Sequence, residues 1–172
     1  MRYITADQHF GHLRIIDYCK RPFSSVEEMD ETMIERWNAV VRKTDDVYHL
    51  GDICFRQSRE QVDRLLSRLK GNIHLIQGNH DSGSLKNVKR FVSFQQIKRI
   101  KVGDQPVVLC HYPMRSWPAS CHGSWHLYGH CHGTAQTYGL SFDVGVDCWN
   151  FTPVSEEQVR ERIQEMEQYG EN

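Results

Sequence analysis

Apolar positions in this chain follow two periodicities. Short runs rich in β-branched and aromatic residues, each followed by turn residues, occur at Arg2–Ala6, Val47–Leu50, Ile73–Gln77, Ile97–Val102, Pro106–Cys110, His126–Gly129 and Ser141–Val146. Their lengths and the turns after them favour strand over buried helix. A helical period is set by Val26, Met29, Met33, Trp37 and Val40, behind the capping-box signature Ser25-Val26-Glu27-Glu28. Ser58-Arg59-Glu60-Gln61 opens a second helix with Val62, Leu65, Leu66 and Leu69 as its stripe, and Gly71 is placed to end it. Ser155-Glu156-Glu157-Gln158 opens a last one, with Val159, Ile163 and Met166 facing inward, and a shorter helix is expected from Leu13 to Lys20. An early βαβ half followed by a strand-rich half predicts an α+β (α/β-like) chain, with one mixed sheet or two packed sheets and helices outside. No repeat, low-complexity tract or linker divides the sequence, so a single domain over residues 1–172 is expected.

Composition narrows the function classes. Hydrophobic content of 39% and charged content of 25% are those of an ordinary globular chain, and a formal net charge of −1 supplies no global field toward nucleic acid or membrane. No apolar stretch approaches the roughly 20 residues of a membrane span. The first strand candidate begins at residue 2 with no charged-then-apolar leader before it, which predicts a cytoplasmic, reducing setting. The six cysteines (19, 54, 110, 121, 131, 148) form no CxxC pair and are expected as free thiols, most of them small buried apolar residues. Cys131 stands out because it lies between two histidines.

The chemistry-bearing residues stand at the ends of the apolar runs. Asp7 and His9 are two apart, a spacing that puts both on one side of a regular strand, although a surface aspartate and a structural histidine share it. Asp52 follows Gly51, which allows a sharp turn at the end of its run; its carboxylate has two oxygens and so can bridge two cations. In Gly78-Asn79-His80-Asp81, Asn79 offers an amide oxygen, His80 a protonatable nitrogen, and Asp81 a carboxylate able to orient it; a plain turn would use the same residues. His111 closes another run, and His130 and His132 sit in a tight loop between Gly129 and Gly133. Each piece is modest alone, whereas five at successive strand ends supply oxygen and nitrogen ligands for two divalent ions.

In that order, DxH, GD, GNHD, H and GHxH, the sequence resembles the calcineurin-like metallophosphoesterase superfamily, over residues 7 to 132. The resemblance implies two mixed β-sheets packed as a sandwich and flanked by helices, with metals at loops beyond the strand ends. It places Asp7, His9 and His132 on a first metal, Asp52 as the bridge, and Asn79, His111 and His130 on a second. His80 would approach the scissile phosphate with Asp81 behind it, both as catalytic residues. Many members carry a further acidic residue after GD; Ile53-Cys54-Phe55 has none. The stretches Gln8-His9-Phe10-Gly11-His12, Arg21-Pro22-Phe23 and Asp143-Val144-Gly145-Val146-Asp147 resemble a compact bacterial or phage branch.

The implied activity is hydrolysis of a phosphate ester, more readily a phosphodiester, of a small nucleotide or a generic one, by a metal-bridging hydroxide, with His80 as acid or charge stabiliser. Two Mn²⁺ ions are the expected cofactors, with Fe or Zn²⁺ compatible with the same ligands. Candidate substrate contacts are His12, Arg115 and Trp117. Between Ser82 and Gly103 there are six basic residues (86, 89, 90, 98, 99, 101) and no acidic one, either a polyanion path or a solvated basic face. A nuclease or RNA/DNA-end phosphoesterase is the nearest alternative. A non-catalytic protein-binding scaffold of the same fold is the more distant one, and it would be marked by missing ligands.

Overall fold

The computed structural model describes residues 1–169. Nine strands form two mixed sheets among them. In the first, β1 (Arg2–Thr5), β2 (Asp46–His49), β3 (Asn72–Ile76) and β4 (Phe91–Gln95) run parallel in the order β4-β3-β2-β1, and β9 (Val154–Ser155) closes the β1 edge antiparallel. In the second, β6 (Gln105–Cys110), β7 (Trp125–Tyr128) and β8 (Ser141–Asp143) are parallel, and β5 (Ile97–Val102) pairs antiparallel with β6. The sheets pack as a sandwich with helices outside.

The period-2 alternation along β1 and β2 sorts residues between two cores. Tyr3, Val47, Ile73 and Leu75 pack under α1 (Leu13–Tyr18), α2 (Val26–Val40) and α3 (Arg59–Ser67), against Met29, Met33, Trp37, Val62 and Leu66. Ile4, Tyr48 and Ile76 belong to a second core with Val107, Leu109, Leu127 and Phe142, joined by Val159, Ile163 and Met166 of α4 (Glu156–Tyr169). The boxes at Ser58 and Ser155 close reciprocally: each serine accepts from the backbone N–H three residues on, and Gln61 and Gln158 accept from the serine N–H. At α2, Ser25 accepts from the Glu28 N–H, but the Glu28 carboxylate reaches one residue further back, to Ser24.

Two strands are not predicted by periodicity. In β4, a register shift opposite Ile73 and His74 breaks the alternation, so Phe91 and Phe94, three apart, pack on the same core. β9 is two residues long, too short to show a period. The expected strand over Ser141–Val146 stops at Asp143, where the chain leaves the second sheet and bridges at Gly145 to Ala6 beyond β1. Val144 accordingly packs in the sandwich core and Val146 under the helices. This crossing ties the two sheets together where their parallel strands end. No helix among the described residues is long and apolar enough to cross a membrane, and the six cysteines are free thiols.

Candidate metal centre

The loops after β1, β2, β3, β6 and β7 all leave the carboxyl ends of parallel strands, the edge where parallel α/β sheets place their ligands. Convergence is a product of strained backbone. Asp7, His9, Asp52, His130 and His132 all have φ between 47° and 71°, a left-handed conformation uncommon outside glycine and costly enough to be kept where function requires it. Asp7 and His9 therefore meet because each turns beyond the strand, and the strand pleat plays no part. Two glycines make the approach possible: a Cβ at Gly78 would collide with Asp52 Oδ1, and one at Gly129 with Asp7 Oδ2.

Two ligand triads result. Donor atoms of Asp7, His9 and His132 lie within 4.8 Å of one another, and so do those of Asp52, His111 and His130. Asn79 Oδ1 is 2.8 Å from His111 Nε2, which adds it to the second group. Asp52 joins the triads through one oxygen: Oδ2 is 3.5 Å from His9 Nε2 and 3.6 Å from His111 Nε2. Its Oδ1 accepts from the His80 N–H at 2.8 Å, so the residue that connects the triads also positions the loop carrying His80.

The donors fit divalent cations. Asp7 Oδ1 and His9 Nε2 are buried without a hydrogen-bond partner, an arrangement that a cation between them would relieve. Burial, reinforced by neighbouring cationic groups, pushes His9 down to about 2, and burial brings His111 down to about 4. Both imidazoles are thus neutral and able to donate a lone pair. Burial also holds the Asp7 carboxyl well above the usual carboxylate range. For His132, burial is overcome by hydrogen bonds to Asp147 and Cys19 and by the Asp7 charge, and its pKa rises to about 10.

Behind the first triad lies a network that sequence reasoning did not assign. Asp147 Oδ2 accepts from His132 Nδ1 at 2.7 Å, directing Nε2 toward Asp7 and His9. Arg21, whose side chain is fully buried, donates to both Asp147 oxygens at 2.8 Å and to the carbonyls of Asp7 at 2.7 Å and Gln8 at 2.9 Å. One guanidinium thus ties the DxH loop to the histidine that completes it. Asp143 accepts from the Gly133 and Gly145 N–H groups, and Asp30 of α2 accepts from the Gly11 N–H, fixing the two ligand loops from behind. Arg21-Pro22-Phe23 and Asp143 to Asp147 are visible in the sequence as distinctive stretches, but nothing there pairs them. Asp30 reads as a polar position on an amphipathic helix. Asp147→Asn is expected to weaken the first metal by about 10- to 100-fold and the second less, as calorimetric titration would show; equal affinities in both proteins would remove Asp147 from the site.

Two further expectations are corrected. Asp81 does not stand behind the His80 ring: its carboxylate accepts from the N–H groups of Asp52, Ile53 and Gly78, which pins the GD and GN loops together. It is a positioning residue for the backbone. Arg115 and Trp117 do not reach the centre. They line a separate depression, where Arg115 lies over Tyr138 and buried Trp117 donates to the Ser124 carbonyl. The cysteine at ligand distance from the centre is Cys19, beside His132 and Asp147, rather than Cys131.

His12 does line the cleft over the centre, a space of about 760 Å³ shared with His9, Phe55, Asn79, His80 and His130. Its ring stacks on Phe55 with centroids 3.8 Å apart. In the basic stretch, Arg90 donates to the carbonyls of Leu69 and Gly71 and so serves the fold.

Residues 4–142 match the Calcineurin-like phosphoesterase superfamily domain. An uncharacterized protein of Methanocaldococcus jannaschii is 37% identical over 161 residues, covering 89% of this chain and 85% of the relative. The gene 66 protein of Mycobacterium phage L5 is 28% identical, covering 86% of each. A crystal structure of a protein of unknown function from Aquifex aeolicus superposes with a TM-score of 0.76 at 21% identity, covering 94% of this chain and 98% of that one, which shows a shared fold.

Proposed function

The chain belongs to the calcineurin-like phosphoesterase superfamily, and from that premise we propose that it is a phosphodiesterase using two divalent metal ions, with manganese the first metal to supply. The observation that carries this reading is the position of Asp52 Oδ2, within 3.6 Å of a donor nitrogen from each triad. Asp7, His9 and His132 would hold one ion, Asn79, His111 and His130 the other, and Asp52 both. Bound there, the ions supply charge neutralisation for the phosphate oxygens and a nucleophile from water at neutral pH.

The protein's own groups do the rest. The His80 ring is exposed at the cleft, its centroid 5.2 Å from that of His9 and 5.4 Å from that of Phe55, close to the metal ligands without being one. From there its imidazole donates a proton to the oxygen of the departing alcohol. The Asp52–His80 backbone bond keeps that ring in register with the bridge. The complete ligand set and the open cleft support catalysis over a scaffold role.

The test is hydrolysis of bis-p-nitrophenyl phosphate beside p-nitrophenyl phosphate, with Mn²⁺ and after chelation. Turnover of the diester that exceeds that of the monoester and disappears on chelation is the expected result. Preference for the monoester would make the protein a phosphatase, and no turnover of either with Mn²⁺, Fe²⁺, Zn²⁺ or Mg²⁺ would favour the scaffold.

A further inference from the structure

Three depressions meet at Asn79. The 760 Å³ cleft runs from it to the β1 side of the first sheet, past Phe55 toward Arg14 and Tyr18. A second, about 530 Å³, runs to the β4–β5 crossover along Gln77, Gln96, Ile97 and Tyr112. A third, about 420 Å³, passes Phe55, Arg56 and His80. β1 and β4 lie on opposite sides of β2 and β3, so the metal ligands sit in the floor of a trough that continues in both directions. Each arm has the volume of a small-ligand site.

Each arm also carries an accessible aromatic ring braced by a site histidine. Half-buried Phe55 stacks on His12, with the exposed Arg56 guanidinium 5.1 Å from its centroid. Tyr112, 45% exposed, has edge contacts with His111 and His130, centroids 4.9 and 4.8 Å away. Rings and guanidinium planes held in this way stack nucleobases of any sequence. Arg14 and Arg56 supply charge for a neighbouring phosphate on one arm, and exposed Gln96 supplies an amide for a base edge on the other, where the Gln77 amide N–H is taken by the Asp81 carbonyl. A net charge of −1 does not suit a long duplex read through its backbone.

We propose that the trough binds a phosphodiester joining two nucleosides of a single strand, one base on the Phe55–Arg56 layer and the other on Tyr112; this rests on the phosphodiesterase reading above. His80 lines both Phe55 arms and not the Tyr112 arm, which fixes the polarity. A water oxygen bonds to phosphorus, and the ester bond to the nucleoside on the Phe55 side breaks. That nucleoside's oxygen takes a proton from His80 and leaves as a hydroxyl. The fragment on the Tyr112 side keeps the phosphate as a monoester, and the proton lost by water returns to His80 or to solvent.

The experiment compares the Mn²⁺-loaded protein on the trimer TpTpT, on the same trimer with abasic residues, and on bis-p-nitrophenyl phosphate. Each base stack is worth about 5- to 150-fold, so kcat/KM for TpTpT should exceed that for the abasic trimer by at least tenfold. Phe55→Leu and Tyr112→Leu should each compress that preference fivefold or more, chiefly through KM, and Tyr112→Phe should retain it. Anisotropy of fluorescein-labelled TpTpT on the His80→Ala protein should weaken in the same order when either leucine is added. Equal cleavage of the two trimers overturns the proposal while bis-p-nitrophenyl phosphate turnover leaves the phosphodiesterase standing. Absence of all diester hydrolysis strikes the phosphodiesterase itself and the proposal with it.

Discussion

Asp52→Asn is expected to abolish the two-metal state and lower kcat/KM by about three orders of magnitude, the consequence of losing several kcal/mol of metal-borne stabilisation. Asp52 has two separate duties. Oδ1 accepts from the His80 N–H, and Oδ2 lies between the two triads. An asparagine that keeps the first contact turns an NH₂ group toward the metals; one that flips to offer its oxygen to the metals sets NH₂ against an N–H. Neither orientation satisfies both. Burial already raises the Asp52 carboxyl above its ordinary pKa, so a neutral residue relieves the metal-free fold. The metal-free variant should therefore melt no lower than the parent. Metal at about 100 times its Kd stabilises a folded state by about 2.7 kcal/mol, worth roughly 5–10 °C in a chain of this size, and that shift should shrink in the variant. Two ions per chain by elemental analysis of Asp52→Asn would refute the bridge.

His80→Ala is expected to reduce kcat by about 10²- to 10⁴-fold and to leave two metals bound. The contact that positions this residue is a backbone N–H, which alanine retains. Only the imidazole is lost, and no ligand triad includes it. An acid matters most when the departing oxygen is a poor leaving group. The loss should accordingly be larger for a nucleoside ester than for a p-nitrophenyl ester. An equal loss on both would mean that His80 stabilises charge without transferring a proton, and full turnover would remove it from the mechanism.

These two residues also show how sequence and structure divided the information. Strand-forming runs, capping boxes and the residues at the run ends are local: each depends on side chains within a few positions, and Asp7, His9, Asp52, Asn79, His111, His130 and His132 could be named as candidate ligands from their donor chemistry at the run ends together with the family resemblance. The structure adds the proximity of the donor atoms within each group and the turned backbone that produces it. β4 stayed hidden because its bulge places Phe91 and Phe94 on one face, a fact that depends on Ile73 and His74 in the neighbouring strand. Trp117 looked like a stacking residue because a tryptophan after a ligand histidine carries no mark of where its ring turns; in the fold its N–H is taken by Ser124.

Asp81 is the clearest division. Its position after Asn79 and His80 suggested a partner for the neighbouring ring. Its carboxylate instead collects three backbone N–H groups from two separate strand ends, two of them from residues nearly thirty positions away. Arg21 and Asp147 are 126 residues apart, and their ion pair exists because the chain crosses between sheets after Asp143 and returns beside β1. The sequence by itself determined which residues can hold metal and which runs become strands, since donor chemistry and side-chain periodicity are properties of short segments. Tertiary structure alone decided which oxygen of Asp52 connects the triads, which carboxylate orients His132, and which aromatics flank the centre. Those are distances between loops that only the packing of two sheets brings together.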